Sequence, residues 1–224
     1  MESVNIALHW NDLTLCRATL PNDHVKRGER VHCIMPEAAQ KELLEMLFLC
    51  PLSQGCMESK TLWITQGERT LHAGGDEFCQ HIACMLQHRG LLANLTLKEN
   101  LLLPALYSDQ KDVLQRAEQA LPYVADFLDM QDKLHEKAGE RPPYVHALMS
   151  LGHCLLKKPA IVVAQHMYTG MEEEYAKKFR RKMLRALKVW NPGVLYLSRS
   201  HVAQLTFPFD RTHILKCHKG MEWQ

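Results

Sequence analysis

The stretch Gly28–Leu47, "GERVHCIMPEAAQKELLEML", decides the fold. A Gly-Glu turn leads into a run to Met35 with the pattern of a buried strand. Pro36 then suits a first helical position and Glu37 lies in a first turn. Leu43, Leu44, Leu47 and Phe48 make an apolar stripe at helical spacing. Strand, loop and helix are therefore expected to meet near residue 36, the arrangement that opens an α/β unit.

The same alternation continues along the chain. In "KKPAIVVAQHMYTGMEEEY" (Lys157–Tyr175) a proline precedes a short β-branched run that reads as a fully buried strand, and Gln165 and His166 stand at its carboxyl end. Helices are expected over about Asp109–Gln119, Tyr144–Leu156 and Glu172–Trp190. The last is the best marked: Tyr175, Phe179, Met183, Leu187 and Trp190 recur every three or four residues, with acids at its start and bases towards its end. After Asn191-Pro-Gly comes the strand "VLYLS", and "THILKC" near the end reads as another. Strands alternating with helices predict a largely parallel sheet covered on both faces.

Composition narrows the class. With 224 residues, 46% hydrophobic and 23% charged, the chain is long enough for one large domain or a core with a subdomain. A net charge of +2 predicts no nucleic-acid partner and no strong attraction to anionic membranes. No window approaches the roughly 18 apolar residues that span a bilayer, and the first residues lack a basic then apolar leader, so a cytoplasmic location is expected. The cysteines at 16, 33, 50, 56, 79, 84, 154 and 217 show no C-x-x-C and are expected as reduced thiols. Cys79, His81, Cys84 and His88 match no common zinc spacing, so no metal site is expected.

From Ala83 the chain reads "ACMLQHRGLLANLTLKENLLLPALYSD". This resembles the Q-loop region of ATP-binding cassette (ABC) transporter ATPases, and among them is most similar to the ATPases of bacterial phospholipid-transport systems associated with MCE proteins. "GERVHCIMPEAAQKELLEML" then falls where the family has its strand and phosphate-binding loop. "ALMSLGHCLLKKPAIVVAQHM" falls where it has its second nucleotide-binding strand, and "TGME" from Thr169 resembles the D-loop. The resemblance implies one domain over residues 1–224 with a P-loop NTPase-like fold: a mostly parallel core sheet, helices on both faces, and a helical subdomain inserted over about 88–150.

In that register the chemistry is depleted. A working phosphate loop needs glycines whose amides turn towards the phosphates, a lysine, and a hydroxyl for magnesium. Met35, Ala38 and Gln40 stand at the glycine positions and Glu42 at the hydroxyl; Lys41 survives, among neighbours that suit a helix-surface lysine. Gln165 and His166 replace the magnesium-linked aspartate and the catalytic glutamate. "RPPYV", Arg141–Val145, replaces the LSGGQ signature, and its prolines remove amide donors. Gln87 matches the Q-loop glutamine. The switch-histidine position falls on Arg199, with His201 two residues later.

The resemblance therefore implies a degenerate, non-catalytic ABC subunit with no ATP or magnesium cofactor. Its expected partners are an integral membrane permease and possibly a second ABC ATPase-like chain, as homo- or heterodimer, at the inner face of a membrane. The permease would grip the apolar run after Gln87, at Leu91, Leu92, Leu95, Leu102 and Leu106. A divergent ATPase using Lys41 and His166, or a free-standing scaffold, are the alternatives.

Overall fold

The computed structural model describes residues 5–48, 61–86, 90–108, 111–200 and 207–215. The chain divides into two compact units: Met1–Ala83 with Pro159–Gln165 and Asn191–Gln224, and Cys84–Lys158 with His166–Trp190.

The first unit holds two sheets. One is antiparallel, built from β1 (Ile6–Trp10), β4 (Asp23–Lys26), β6 (Leu62–Gln66) and β7 (Arg69–His72) in the order β4-β1-β6-β7. A short hairpin, β2 (Thr14–Leu15) and β3 (Ala18–Thr19), hangs from it. The other contains β5 (Arg30–Ile34), β9 (Ile161–Gln165), β10 (Gly193–Ser198) and β11 (Arg211–Ile214), with the order β11-β5-β10-β9-β8 and parallel pairing of β11, β5, β10 and β9. The edge strand β8 (Ile82–Leu86) is where the chain passes from the first unit into the second.

Strand alternation explains the faces of the antiparallel sheet. Leu8, Val25, Ile64 and Leu71 lie opposite one another across its four strands and are buried in the core, whereas His9, His24, Trp63 and His72 form the neighbouring row. Three of those rings stack in sequence, with centroids 5.4 Å apart from His24 to His9 and 5.4 Å from His9 to Trp63. The core row joins Val31, Cys33, Ile161, Val163, Leu195 and Leu197 of the parallel sheet in one apolar cluster. α1 (Glu37–Phe48) adds Ala39, Leu43 and Leu47 to that cluster, and α2 (Asp76–His81) adds Phe78.

Polar groups join the two sheets at their rim. Asp23 on β4 accepts hydrogen bonds from His213 Nε2 at 2.6 Å and pairs with Arg211 Nε at 3.0 Å, both on β11. Burial pushes the Asp23 carboxyl up, but the His24 amide, His213 and Arg211 outweigh it and hold it below the usual carboxylate range.

The second unit is helical: α3 (Leu97–Leu106), α4 (Lys111–Leu128), a 3-10 turn at Gln131–Lys133, α5 (Pro143–Lys157) and α6 (Glu173–Trp190). α3 starts on a capping box, with Glu99 N–H donating to Thr96 Oγ1 at 3.1 Å and Thr96 N–H donating back to Glu99 at 2.6 Å. Gly152 on α5 lets α3 and α4 close on it, since a Cβ there would lie 2.5 Å from Leu101 Cδ2 and 3.0 Å from Leu128 Cδ1.

The expected strands and helices are all present, with α4 running on to Leu128 beyond the expected Gln119. The antiparallel sheet and α3 were not foreseen. None of the five described cysteines, Cys16, Cys33, Cys79, Cys84 and Cys154, is disulfide-bonded to another of them. Among the described residues no helix is long and apolar enough to cross a membrane.

Gly193 opens β10 at a point where backbone approaches backbone. A Cβ there would lie 2.7 Å from the Lys26 carbonyl oxygen and 2.8 Å from Ile161 Cδ1. Because a carbonyl cannot rotate away as a side chain does, Gly193→Ala is expected to destabilise the protein by about 2 kcal/mol. Urea denaturation checks this, and a midpoint equal to wild type would show that the strand shifts freely.

Candidate functional site

The carboxyl ends of β5, β9 and β10 meet the start of α1, where open α/β sheets bind ligands. Only Met35 and Pro36 separate β5 from α1. Residues 37–42, which hold most of the phosphate-loop register, are already helical. Gln40 N–H makes the helical bond to Pro36 O at 3.0 Å, and Met35 N–H donates to Ser198 O on β10 at 2.9 Å. Pro36 has no amide to offer.

Each polar or charged side chain of residues 37–42 has a partner inside the first unit. Gln40 is fully buried; its Nε2 donates to Met35 O at 2.8 Å, and its Oε1 accepts from Gln165 Nε2 at 2.8 Å. Glu42 turns back to the β2–β3 hairpin, where its Oε2 accepts from Cys16 N–H at 2.7 Å and lies 3.4 Å from Cys16 Sγ. Cys16 and Arg17 have φ of 48° and 62°, so Glu42 caps a turn whose backbone is left-handed. Lys41 is 77% exposed and sits 3.8 Å from Glu45 one turn on. Arg199, just past β10, pairs with Glu37.

These residues do not fit a magnesium nucleotide. A nest needs a run of consecutive amides facing outward, but here Met35 N–H and Gln40 N–H are already bonded and Pro36 has none. A magnesium site needs a hydroxyl and a carboxylate, and the corresponding positions hold a carboxylate turned to a hairpin and a neutral amide turned to Gln40. Gln40 also puts a buried side chain where the phosphate loop has a glycine.

Of the remaining expected site residues, the described ones lie in the second unit. His166 is its first residue after β9, with φ of 51°. In Arg141–Val145, Pro142 is the N-cap of α5 and Pro143 its first residue. Arg141 is folded onto its own loop, with Nη1 3.0 Å from Glu136 and Nε donating to Ala138 O at 2.8 Å. Gln87, His88 and His201 lie outside the described residues. Among the described residues no group of three or more His, Cys, Asp or Glu is placed to hold a metal.

The second unit also carries a groove of about 200 Å³, lined mainly by Gly90, Leu91, Leu103, Pro104, Tyr107 and Met149, with His146 and His153 of α5 beside them. Asn100, itself buried, fixes one wall by accepting from Leu92 N–H at 2.8 Å and donating to Leu92 O at 3.1 Å. Of the five leucines expected to face a partner, Leu91 lines the groove and Leu92 and Leu106 are 47% and 53% exposed. Leu95 is half-buried, and Leu102 is only 6% exposed, packed inward from α3; Leu103 faces the groove in its stead. Tyr107, which the sequence did not single out, is 83% exposed at the groove's edge.

No protein-family model matches the chain. It is 24% identical over 138 residues to the lipoprotein-releasing system ATP-binding protein LolD of Rickettsia bellii (strain RML369-C), a stretch that is 61% of this chain and 60% of that protein. The chain thus matches less than two thirds of that relative's length. Among solved structures it is similar to MJ1267, an ATP-binding cassette of an ABC transporter in its ADP conformation, with a TM-score of 0.68 at 16% identity over 95% of this chain and 88% of that one. CbiO1 of Clostridium perfringens, part of the ABC transporter complex CbiONQ, gives 0.70 at 9% identity over 93% of this chain and 84% of that one. At these identities the likeness shows the fold, which is that of ABC ATPase domains.

Lys41 and Glu42 separate a motif letter from a structural role. Lys41→Ala is expected to change stability by no more than about 0.5 kcal/mol, as for an exposed helix pair. Glu42→Ala is expected to cost about 1.5 kcal/mol, because the Cys16 amide loses a charged acceptor. Guanidinium unfolding of the two variants checks the order; a larger loss at Lys41 would mean that its ammonium has a partner other than Glu45.

Proposed function

We propose that this chain is an ABC-type ATP-binding subunit that has given up nucleotide and works as a structural or regulatory partner of a membrane permease. The observation that carries the reading is the β5–α1 junction, where the side chains of Gln40, Glu42 and Gln165 bond to the protein itself at the positions where the family has a phosphate-loop glycine, a magnesium hydroxyl and an aspartate. The groove of the second unit supports the other half of the reading, since an apolar wall with exposed Leu92, Leu106 and Tyr107 suits a protein segment. Location then follows from the partner: cytoplasmic, held at the inner face of a membrane.

Cargo is the finer step. Likeness to LolD, whose name describes lipoprotein release, and to phospholipid-transport ATPases at the Ala83–Asp109 stretch supports a lipid or lipid-linked substrate. Pairing with a second ABC ATPase-like chain is part of the proposal. Each nucleotide in such dimers is held between the phosphate loop of one chain and the signature of the other. A heterodimer containing this chain would therefore present two altered sites and hydrolyse ATP slowly or not at all.

Calorimetric titration of the isolated chain with Mg-ATP is expected to show no binding up to millimolar concentration. A micromolar Kd, or ATPase activity of the native complex abolished by His166→Ala, would replace this reading with that of a divergent ATPase.

The groove has its own test. Leu106→Glu and Tyr107→Asp alter exposed positions, so each is expected to leave the unfolding midpoint within about 0.5 kcal/mol of wild type while releasing the copurifying membrane protein. Leu102→Glu is expected to unfold the second unit, because it places an unpaired carboxylate in a buried site. Undiminished copurification with both exposed variants would remove the groove from the proposal.

A further inference from the structure

We infer that Gln40 and Gln165 form an amide clasp that holds the carboxyl ends of the central strands together in the place of a bound ligand. The inference rests on the nucleotide-free reading above for its biological meaning, but its geometry stands alone. Gln165 ends β9, and its Nε2 donates to Gln40 Oε1 at 2.8 Å; Gln40 Nε2 then donates to Met35 O at 2.8 Å, just past β5. Met35 N–H continues the chain to Ser198 O, at the end of β10, at 2.9 Å. In the sheet, β10 lies between β5 and β9, and the register sets Gln165 opposite Leu197 and Ile34 opposite Ser198. The hydrogen-bonded chain therefore starts on one neighbour of β10, crosses over to the other, and returns to β10 itself. Arg199 to Glu37 adds an ion pair from the segment after β10 to the first turn of α1.

The clasp has a polarity that makes it specific for glutamine at both positions. Gln40 presents its oxygen to Gln165 and its nitrogen to the Met35 carbonyl, which accepts only. Turning the Gln40 amide over would bring its oxygen against that carbonyl. Gln165 must consequently donate, and an acid there faces the Gln40 oxygen with nothing to give. Restoring an acid at Gln165 thus opens the junction rather than reviving a metal site as long as Gln40 remains. Both clasp members are neutral, so neither amide titrates; the charged groups nearby are Glu37 and Arg199, with His32 bonded to Ser198 Oγ at the end of β10.

The decisive variant is Gln165→Glu, which keeps shape and removes the donor. At pH 7.5 its unfolding constant is expected to rise at least about tenfold over wild type, the effect of a buried acceptor left facing an acceptor. The deficit should shrink as the pH falls towards 5, because protonation restores an O–H donor; the folded state raises the pKa of the introduced carboxyl, so stability returns as the proton binds. The isosteric pair Gln40→Met and Gln165→Met, with the double variant, completes a thermodynamic cycle. Each single change is expected to weaken the fold, and the double change to cost clearly less than their sum. Equal stability of Gln165→Glu and wild type at pH 7.5, or additivity in the cycle, would overturn the clasp. Mg-ATP binding by wild type with the cycle still coupled would overturn the nucleotide-free reading and leave the clasp standing.

Discussion

The place where α1 begins governs what this fold can do. Pro36 fixes its own φ and biases Met35 towards extended backbone, so β5 passes into helix with no room for a loop. Helical geometry then sets the side chains. Counting from Ala39 and Gln40, the positions that turn inward are Leu43 and Leu47, so Gln40 belongs to the buried stripe of α1. A polar group in such a stripe must find partners or cost several times what an apolar neighbour contributes. Gln40 finds one on each side, at Met35 and Gln165. An extended glycine-rich loop would instead leave its amides facing outward, where an anion could meet them.

The two units answer different demands. In the first, groups with residual charge are turned towards the protein's own structure: Glu37 to Arg199, Glu42 to the Cys16 turn, and Lys41 to Glu45. In the second, the polar bonds around the start of α3 shape one wall of an apolar groove. Asn100 spends its side chain on Leu92 and the Thr96 carbonyl, and the capping box at Thr96 starts α3 at a defined residue. Positions that resemble family motifs by letter therefore divide by geometry. Those after Gly90 shape the wall of an apolar groove, whereas those after Ile34 bond to groups of their own unit.

Much of the fold was legible because its central strands are apolar runs and its long helices are periodic. β5, β9 and β10 read as buried strands, and α5 and α6 showed their stripes. The antiparallel sheet was hidden for a physical reason: His9, His24 and His72 occupy its second row, and its strands are four or five residues long, too short for alternation to stand out. α3 was hidden by the opposite fault, since leucines on all sides and Pro104 inside leave no stripe. Its signal was the Thr96-x-x-Glu99 box, which a search for caps would have found. At the junction, Gln40 read only as a glycine lost. Nothing in the sequence pairs it with Gln165, which is 125 residues away.

The use of amides at that junction, in place of two apolar residues, has a consequence for how the sheet is held. An apolar pair of equal volume would fill the space, but dispersion forces have little direction, and α1 would be free to settle at more than one height above β9. Two hydrogen bonds in sequence specify one height and one orientation. In a protein whose strand ends are joined by a ligand, that specification comes and goes with the ligand, because binding adds stability only to the joined state. Here the two amides belong to the chain itself, and neither carries a charge. A subunit built in this way suits a partner that needs a fixed surface more than one that needs a moving one, and this is the physical ground of the structural or regulatory role proposed for it.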